Sequence, residues 1–593
     1  MEITIKTTVI EAIKAIYKQE PDPQDIQLQF TNKDFEGDFT LVVFPLLKYS
    51  KNKPDTTAKE IGVYLQNKMQ GIASYNVVKG FLNLRMSSDY WIARMNTMAH
   101  QGIYTCDALN PMRYMVEFSS PNTNKPLHLG HVRNNLLGDS LSRILKEAGN
   151  EVIKVNLVND RGIHICKSML AYRKYGKNCT PASTGKKGDK LVGDFYVQFE
   201  KAFKEELQAL LQQGFSEKEA AEQTQHMKEA REMLQLWESG DHDVIWLWKQ
   251  MNSWVLQGFD ETYAKLGISF DTTYFESETY KLGKSLVLEG LKKGIFFEKE
   301  DGSVWVDLQN EGLDEKVLLR SDGTSVYITQ DIGTAVNRFS SYHLHRHIYV
   351  VGNEQNYHFQ VLKAILKKLG FEWANSIYHM SYGMVELPDG KMKSREGKVV
   401  DADDIVDEML ETARAMSLEH GKLGDIDADA KEEILKKIAM GALKYFMLKV
   451  DPRKNMTFDP KESIDFNGNT GPFVQYTYAR ICSILRNSQK MNIKFKGKVS
   501  EETRTVNKEI DILRLITKYP GLVQESARNL DPGSIANFAY ELSKEFNQYY
   551  HEHTILKEKD ANILHFRLVL CSLTKEALER SMGLLGIEMP EKM

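Results

Sequence analysis

The chain has 593 residues, of which 42% are hydrophobic and 27% charged, the ordinary composition of a folded globular protein. This composition excludes a collagen, a disordered chain and a membrane bundle, and the longest apolar run, residues 39–47, is too short to span a bilayer. A net charge of −4 argues against a protein that coats nucleic acid non-specifically but not against a local basic patch. The five cysteines are scattered without a Cys-x-x-Cys pair, and the N-terminus lacks a secretory pattern, so we expect a cytoplasmic protein.

Residues 1–105 predict a small α+β domain. Apolar residues recur at helical spacing over 7–17, and strand-like runs follow at 27–31, 38–44 and 80–85. The lysine-rich stretch 48–54 contains a proline and predicts a loop. The charges of this domain nearly balance, and its residues by themselves indicate no function.

Residues 113–158 predict the start of a parallel sheet. They contain a strand (113–118), a polar turn (119–125), an amphipathic helix (129–147) ended by Gly149, and a second strand (151–158). A strand–helix–strand unit implies two parallel strands joined by a right-handed crossover.

The rest of the chain predicts an interrupted sheet followed by a helical region. Residues 170–310 predict a helical insertion without catalytic motifs. The sheet then resumes with a hairpin or a close strand pair (317–320 and 325–329), a strand (347–351), a helix (359–369) and a long strand (377–387). From residue 404 onward the pattern is nearly all helical.

Two histidines stand where the helix of the first strand–turn–helix unit begins. The spacing of His128 and His131 places both rings on one helical face, at the positive end of the helix dipole, where anions bind. Gly130 has no side chain, so a flat base could approach the backbone there. This pattern suits a triphosphate held beside an adenine ring, although a surface histidine pair or half of a zinc site has the same spacing.

A second segment, residues 391–395, follows a Pro-Asp-Gly turn and reads KMKSR. Its cations could stabilise the charge that develops in phosphoryl or nucleotidyl transfer. Taken alone, this segment is better explained as an ordinary solvated turn, but the two segments together are far more specific.

Further segments carry a family resemblance. HLGH at 128–131 is similar to the first class I synthetase signature, and KMKSR to a degenerate form of the second. More specific are VEFSSPNTNKPLHLGHVR at 116–133, RSDGTSVYITQD at 320–331, YVVGNEQNYH at 349–358 and GNTGPFVQYTYAR at 468–480. With these segments, essentially the whole chain resembles the arginyl-tRNA synthetase family of class I aminoacyl-tRNA synthetases.

The resemblance implies a fold and a reaction. The implied fold is α/β, with a Rossmann-type parallel-sheet catalytic domain with insertions, a small α+β N-terminal domain and an all-α C-terminal anticodon-binding bundle. The implied domains are 1–105, which contacts tRNA, 106–415, which is catalytic with its insertion at about 170–310, and 416–593, which binds the anticodon. The implied reaction activates L-arginine with ATP, which enters with Mg²⁺, and transfers arginine to the 3′ end of tRNA(Arg). We expect a monomer without a resident metal and without membrane association.

The resemblance also assigns roles to individual residues. Those for the arginine substrate are Glu117, Tyr327 and Asp331 at the guanidinium, and Ser120, Asn122 and Gln355 at the α-amino and carboxylate end. Those for ATP are His128, Gly130, His131, His358, Met392 and Ser394. The implied catalytic residues are Lys125, His128, His131, Lys391, Lys393 and Arg395. Carboxylates suit the fixed donors of a guanidinium, but without the resemblance Glu117 and Asp331 would be better explained as solvated or structurally paired.

The sequence departs from the family pattern at two places. Thr123 and Asn124 stand where much of the family has a small apolar pair, and Ser394 stands where most class I enzymes have a second lysine. In the arginine enzymes the lysine before the histidine signature, here Lys125, is thought to compensate. The loop then offers less fixed positive charge, so we expect arginine activation to require tRNA, which would complete the site.

A basic run lies between Arg480 and Lys498, with six cations and no acid. It predicts tRNA contacts by Arg480, Arg486, Lys490 and Lys494, with Tyr478 and Phe495 as stacking groups, although a solvated helix face explains it equally well. His343, His345 and His347 alternate before a strand, but without nearby carboxylates or cysteines we favour a non-metal role.

Two other functions share parts of this pattern. One is a nucleotidyl transferase of the same superfamily that acts on a small acid without RNA, and the long helical C-terminus argues against it. The other is a non-catalytic RNA-binding relative, against which the intact Lys125, His128 and His131 argue.

Overall fold

The computed structural model describes residues 2–32, 34–104, 110–388, 400–420, 427–493 and 497–593. The chain divides into two units. The first consists of Met1–Thr105, Thr477–Gly521 and Glu541–Leu578, and the second of Cys106–Tyr476, Leu522–Tyr540 and Glu579–Met593. The helical C-terminal region therefore contributes to both units.

The N-terminal residues of the first unit form the predicted α+β structure. Its elements are α1 (Glu2–Tyr17), β1 (Gln27–Phe30), β2 (Phe39–Val42), α2 (Leu47–Ser50), α3 (Pro54–Lys68), β3 (Ile72–Val78), β4 (Phe81–Met86) and α4 (Ser88–Gln101). The strands pair antiparallel in the order β1-β2-β4-β3. The predicted loop at 48–54 is wrong at both ends. Its start lies in α2, and Pro54 opens α3, because the first helical turn leaves its N–H groups unbonded and so tolerates proline.

The second unit is built on a five-stranded parallel sheet. The elements up to residue 388 are β5 (Arg113–Glu117), α5 (Leu129–Glu147), β6 (Glu151–Val158), α6 (Ile163–Tyr175), α7 (Pro181–Thr184), α8 (Gly188–Gln212), α9 (Glu217–Gln223), α10 (Gln225–Ser239), α11 (His242–Leu266), β7 (Thr272–Phe275), α12 (Glu276–Thr279), α13 (Lys284–Lys292), β8 (Phe297–Glu298), β9 (Val304–Val306), β10 (Lys316–Leu319), α14 (Tyr327–Tyr342), β11 (Arg346–Gly352), α15 (Asn356–Lys368), β12 (Ile377–Tyr382) and β13 (Val385–Glu386). The sheet has the order β12-β11-β5-β6-β7, which confirms the predicted parallel α/β fold. Strands β8 to β10 form a small antiparallel sheet.

Helix α5 lies directly on this sheet and has the predicted bounds. A Cβ added at Gly138 would lie 2.1 Å from the ring carbon Cγ of Phe118, which follows β5, so no side chain fits between helix and strand. Gly149, with φ +91°, lies just beyond the helix and adopts a conformation that glycine reaches without strain. The middle of α5 therefore packs closely against the residue that follows β5.

Two predicted strands are wrong in part. Residues 325–329 do not form the second strand of a hairpin, because α14 begins at Tyr327 and only Ser325 bridges back to Leu319. The β-branched residues favour a strand locally, but Ile328, Ile332 and Phe339 lie on one helical face in the core, and this packing decides. The predicted strand 377–387 is broken between β12 and β13.

The remaining elements are almost all helical, as predicted. They are α16 (Ala402–His420), α17 (Ala428–Leu448), β14 (Met456–Thr457), α18 (Pro460–Ser463), α19 (Gly471–Lys490), α20 (Asn507–Asn529), α21 (Pro532–Glu552) and α22 (Ala561–Leu584). In the first unit, Arg514 of α20 donates from Nε to Asp38 beside the N-terminal sheet at 2.8 Å. In the second, Lys444 of α17 donates to the Gly586 carbonyl at 2.5 Å. None of the described helices is both long and apolar enough to cross a bilayer.

Candidate active site

Several carboxylate side chains lie at the carboxyl edge of the parallel sheet. Glu117 ends β5, Asp160 follows β6, and Glu276 follows β7. Because parallel strands end at the same edge, residues distant in sequence come together there. This edge is therefore the candidate site.

Asn134 of α5 fixes the relative positions of three strand ends. Its Oδ1 accepts from the Ser119 backbone N–H at 2.6 Å, and its Nδ2 donates to the Val350 carbonyl at 2.7 Å and to the Tyr382 hydroxyl at 3.3 Å. Ser119 has φ +58°, a conformation that few L-residues adopt, so the chain leaves β5 through a constrained turn. The ends of β5, β11 and β12 are thus tied to one side chain.

His128 and His131 form a hydrogen-bonded cap on the N-terminus of α5. Nδ1 of His128 accepts from the Gly130 N–H at 3.1 Å, and Nδ1 of His131 accepts from the His128 N–H at 3.2 Å. A Cβ at Gly130 would come within 3.0 Å of the His128 ring, so glycine leaves room for this geometry. The rings lie 3.9 Å apart between centroids.

The two imidazoles are neutral at physiological pH. Burial, assisted by the charge of Lys125, lowers the pKa of His128 to about 4. Burial also lowers the pKa of His131 well below its usual value, with smaller contributions from His128 and Lys125. Since each Nδ1 accepts a hydrogen bond, each neutral ring carries its proton on Nε2. The cap can therefore present two Nε2–H donors to an anion.

The segment that follows residue 399 pairs with the start of α5. The Leu129 N–H donates to the Val400 carbonyl at 3.2 Å, and the Ala402 N–H donates to the Leu127 carbonyl at 2.8 Å. Five residues predicted for the site lie outside the described residues: Lys391, Met392, Lys393, Ser394 and Arg395.

The Glu117 carboxylate already has a partner within the protein. Arg338 of α14 donates from Nη1 to its Oε2, and both side chains are almost fully buried, at 1% and 7% exposed. Burial opposes the charge of Arg338, but the attraction and hydrogen bond of Glu117, together with the nearby Tyr349 and Tyr274, outweigh burial and raise the pKa of the guanidinium. Arg338 also lies 4.3 Å from the Tyr274 ring centroid, a cation–π distance. The sequence did not single out Arg338, because its partner is 221 residues away.

The other residues predicted for arginine lie on loops and helix starts around this edge. Asp331 is on α14, where His358 of α15 pairs with its carboxylate at 2.6 Å. Tyr327, one helical turn earlier, is 73% exposed. Ser120, Asn122 and Gln355 are exposed as well. The structure therefore brings a predicted ATP residue, His358, into contact with a predicted arginine residue, Asp331.

Two further carboxylates at this edge were missed by sequence reasoning. Asp160 accepts from the Ser277 N–H and hydroxyl at 2.8 and 2.7 Å. Burial raises the pKa of Glu276 to about 7, and the charges of Asp160 and Asp331 add to the rise while that of Arg161 opposes it. The available signal was the sequence TTYF of β7, which reads as a strand and places Glu276 directly at its carboxyl end.

Comparison with known proteins decides the family. The model for the catalytic domain of class I (R) tRNA synthetases matches residues 95–459, that for the arginyl-tRNA synthetase N-terminal domain matches 4–86, and that for the DALR anticodon-binding domain matches 474–593. An arginine–tRNA ligase of Bacteroides fragilis is 55% identical, and one of Bacteroides thetaiotaomicron 54%, each alignment covering 100% of both chains. The chain belongs to the arginyl-tRNA synthetase family.

The solved arginyl-tRNA synthetase of Thermus thermophilus shares the fold, with a TM-score of 0.80 at 24% identity over 100% of both chains. As an arginyl-tRNA synthetase, the chain is an enzyme that activates arginine with ATP and charges tRNA. This membership excludes both alternatives, the transferase that acts without RNA and the non-catalytic relative.

Three of the residues predicted to contact tRNA lie on α19 of this arginyl-tRNA synthetase. Arg480 is half-buried, hydrogen-bonded to Asn547 and 5.2 Å from the Tyr550 ring centroid, whereas Lys490 is exposed. Arg486 is half-buried, and Lys494 and Phe495 lie outside the described residues. The predicted stacking role of Tyr478 is wrong, because its side chain is only 2% exposed and belongs to the helical core.

The alternating histidines have structural positions in this arginyl-tRNA synthetase. His347 is buried within β11, and its ring lies 3.9 Å from that of Tyr349 between centroids. Nδ1 of His345 accepts from the Arg113 N–H at 2.9 Å, which ties the beginnings of β11 and β5 together.

Proposed function

We propose that the enzyme binds the arginine guanidinium with carboxylates at the sheet edge and the ATP phosphates at the N-terminus of α5. The observation that carries this proposal is that buried carboxylates and the histidine cap lie at the same edge of the parallel sheet. Buried carboxylates suit a cation with fixed donors, and a neutral histidine cap on a helix N-terminus suits a phosphate. Adenylate formation requires both substrates side by side.

On the guanidinium side, Glu276 and Asp331 would be the principal acceptors, with Tyr327 beside them. Glu117 can take part although Arg338 is bound to it. Arg338 occupies Oε2, and among the described residues no donor reaches Oε1. The ion pair also keeps the Glu117 carboxylate charged and oriented in a buried position, so that Oε1 can accept from a second guanidinium.

The remaining contacts follow the family resemblance. Ser120, Asn122 and Gln355 would hold the α-amino and carboxylate end of arginine. ATP would be bound by His128, Gly130, His131, His358, Met392 and Ser394, and charge on its phosphates would be stabilised by Lys125, Lys391, Lys393 and Arg395. Burial lowers the pKa of Lys125, because partial desolvation disfavours the charged form of the amine.

In the first step, an oxygen of the arginine carboxylate attacks the α-phosphorus of ATP. The new carboxylate–phosphorus bond forms as the bond to the bridging oxygen of pyrophosphate breaks. The Nε2–H groups of His128 and His131 would stabilise the negative charge that grows on the phosphates. In the second step, a hydroxyl of the terminal tRNA ribose attacks the carbonyl carbon, and AMP leaves. Neither step needs a covalent enzyme intermediate, so positioning supplies most of the rate.

We also propose the metal requirement, the location, the oligomeric state and the tRNA contacts of the enzyme. Mg²⁺ would arrive on the ATP phosphates, since the described residues contain no group of three or more His, Cys, Asp or Glu that could hold a metal. The enzyme would be a cytoplasmic monomer with domains at 1–105, 106–415 and 416–593. Its first domain and the cations Arg480, Arg486, Lys490 and Lys494 would contact tRNA.

ATP–pyrophosphate exchange with tRNA present tests the site. We expect exchange with arginine but not with citrulline, a neutral isostere that leaves the carboxylates without a cation. Glu276→Gln should raise the KM for arginine at least tenfold and leave the KM for ATP nearly unchanged. Glu289→Gln, at an exposed glutamate of α13 paired with Lys293, is the matched control. An unchanged arginine KM in the Glu276 variant would contradict the carboxylate site.

A further inference from the structure

The turn that leads into His128 packs against the helical insertion. Gly193 of α8 faces this turn, and a Cβ at Gly193 would lie 2.9 Å from Cδ of Pro126 and 3.6 Å from the Cα of Lys125. The proline ring cannot rotate away, so only glycine permits this approach. Helix α8 therefore forms one wall behind the candidate ATP site.

The residue just before α8 makes a second connection. Lys187 donates from Nζ to Asp403 of α16 at 2.6 Å, to the Thr262 hydroxyl at 2.5 Å and to Asp189 at 3.2 Å. Asp189 is fully buried, and the side chains of Lys187 and Asp403 are only 15% and 19% exposed. Lys187 thus lies between two carboxylates, Asp189 and Asp403, in a cluster that is largely shielded from solvent.

This cluster holds the segment that pairs with the start of α5. Asp403 is adjacent to Ala402, whose N–H donates to the Leu127 carbonyl, and Lys265 of α11 also binds Asp403, at 2.8 Å. Lys190 of α8 reaches Asp404 at 3.3 Å. The backbone on both sides of His128 therefore depends on contacts with the insertion, at Pro126 with the helix backbone at Gly193 and at residues 400–402 through the Lys187 side chain.

We propose that Lys187 is a positioning residue for adenylate formation, through which the helical insertion sets the geometry of the His128 cap. This inference rests on the proposed role of that cap in ATP binding. Without the Lys187 charge, the buried Asp189 loses its ion-pair partner and repels Asp403, which keeps Lys265 as a partner. The start of α16 then moves, and with it the strand-like pairing to residues 127–129. A displacement of about 1 Å at a phosphate site is enough to slow the reaction about 100-fold.

The test is Lys187→Met, measured by ATP–pyrophosphate exchange in the presence of tRNA. We expect kcat/KM for ATP to fall by about 10- to 100-fold, while calorimetry shows arginine affinity within about twofold of the wild type. The amplitude of the adenylate burst counts the active sites. It therefore distinguishes a variant with a slower reaction from one in which a smaller fraction of the protein is folded. Lys187→Arg restores the cation and should recover most of the rate. Lys186→Met removes the neighbouring exposed lysine, which pairs with Asp194, and is the control.

Gly193→Ala probes the other contact and remains informative if Lys187→Met fails to fold. We expect the same selective loss with ATP, whereas Gly583→Ala in α22, where a Cβ meets nothing within 4 Å, should be silent. Wild-type ATP kinetics in both variants would overturn the proposal. Parallel loss of ATP use, arginine affinity and active fraction would also overturn it, because that pattern means general destabilisation. If His128→Ala itself leaves ATP kinetics unchanged, the proposed function of the cap fails first.

Discussion

Arginine affinity should depend on pH through Glu276. Burial and the nearby acids raise the pKa of this carboxyl to about 7 in the free enzyme. In the proposed site the substrate guanidinium binds the ionised form, so binding must release the proton wherever Glu276 is protonated. The group is about one-tenth ionised at pH 6 and about nine-tenths at pH 8, which gives an approximately tenfold rise in affinity, or about 1.4 kcal/mol. Affinity thus rises with pH and levels off above the pKa.

Isothermal titration calorimetry with arginine at pH 6, 7 and 8 measures this dependence directly. Repeating the pH 7 titration in buffers of different ionisation enthalpy counts the released proton, and we expect about half a proton for each arginine bound. The His128 cap does not add to the slope, because its pKa of about 4 keeps it neutral across this range. Glu276→Gln should bind more weakly and with a flatter pH profile. Wild-type affinity that is constant from pH 6 to 8, without proton release, would refute the assignment of Glu276.

The ion pair, the histidine cap, the cations proposed to contact tRNA and the proposed tRNA requirement give four further expectations. Arg338→Met leaves the Glu117 carboxylate buried without a partner and should reduce the free energy of unfolding by about 3–5 kcal/mol in urea titrations. Its deficit should shrink at acidic pH, where a protonated Glu117 is tolerated, and a variant as stable as the wild type would contradict the ion pair. His128→Ala should raise the activation barrier by about 2–4 kcal/mol in steady-state kinetics, with little change in arginine affinity; near-normal turnover would return the pair to a structural role. Replacing Arg486 and Lys490 by Gln should lower the salt dependence of tRNA binding, measured by filter binding over a salt series. The slope of log K against log salt should fall by about one unit for each phosphate that the variant no longer neutralises. An unaltered slope would mean that these cations form a solvated surface. Exchange with arginine and ATP should need tRNA, and tRNA with an oxidised terminal ribose should restore it; vigorous exchange without RNA would contradict this.

The parts of the site that sequence predicts well are those determined locally. The bounds of α5 follow from its apolar spacing and from Gly149, and the hydrogen bonds that form the histidine cap join groups no more than three residues apart. The parallel sheet follows from the strand–helix–strand order. These features need no knowledge of distant residues.

The parts that sequence misses depend on interactions across the fold. Arg338 matters because it reaches Glu117, and nothing near Arg338 in sequence indicates this. The strand expected at 325–329 fails for the same reason, since packing of Ile328 and Ile332 in the core overrides their β propensity. Glu276 lies between these cases, because its strand is recognisable but only the sheet order brings it to the edge beside Asp160.

The hydrogen bonds made by the Asn134 side chain can be made by only one amino acid at this position. Its amide must accept from one backbone group with oxygen and donate to another with nitrogen, on opposite sides of the same small side chain. Aspartate has the shape but presents an oxygen to the Val350 carbonyl, and leucine has nearly the volume but can neither donate nor accept. Glutamine has both groups but is one methylene longer than this packed interior allows. Among the twenty amino acids, asparagine alone can hold three strand ends together here, and even the loss of its amide nitrogen by slow deamidation would break that connection.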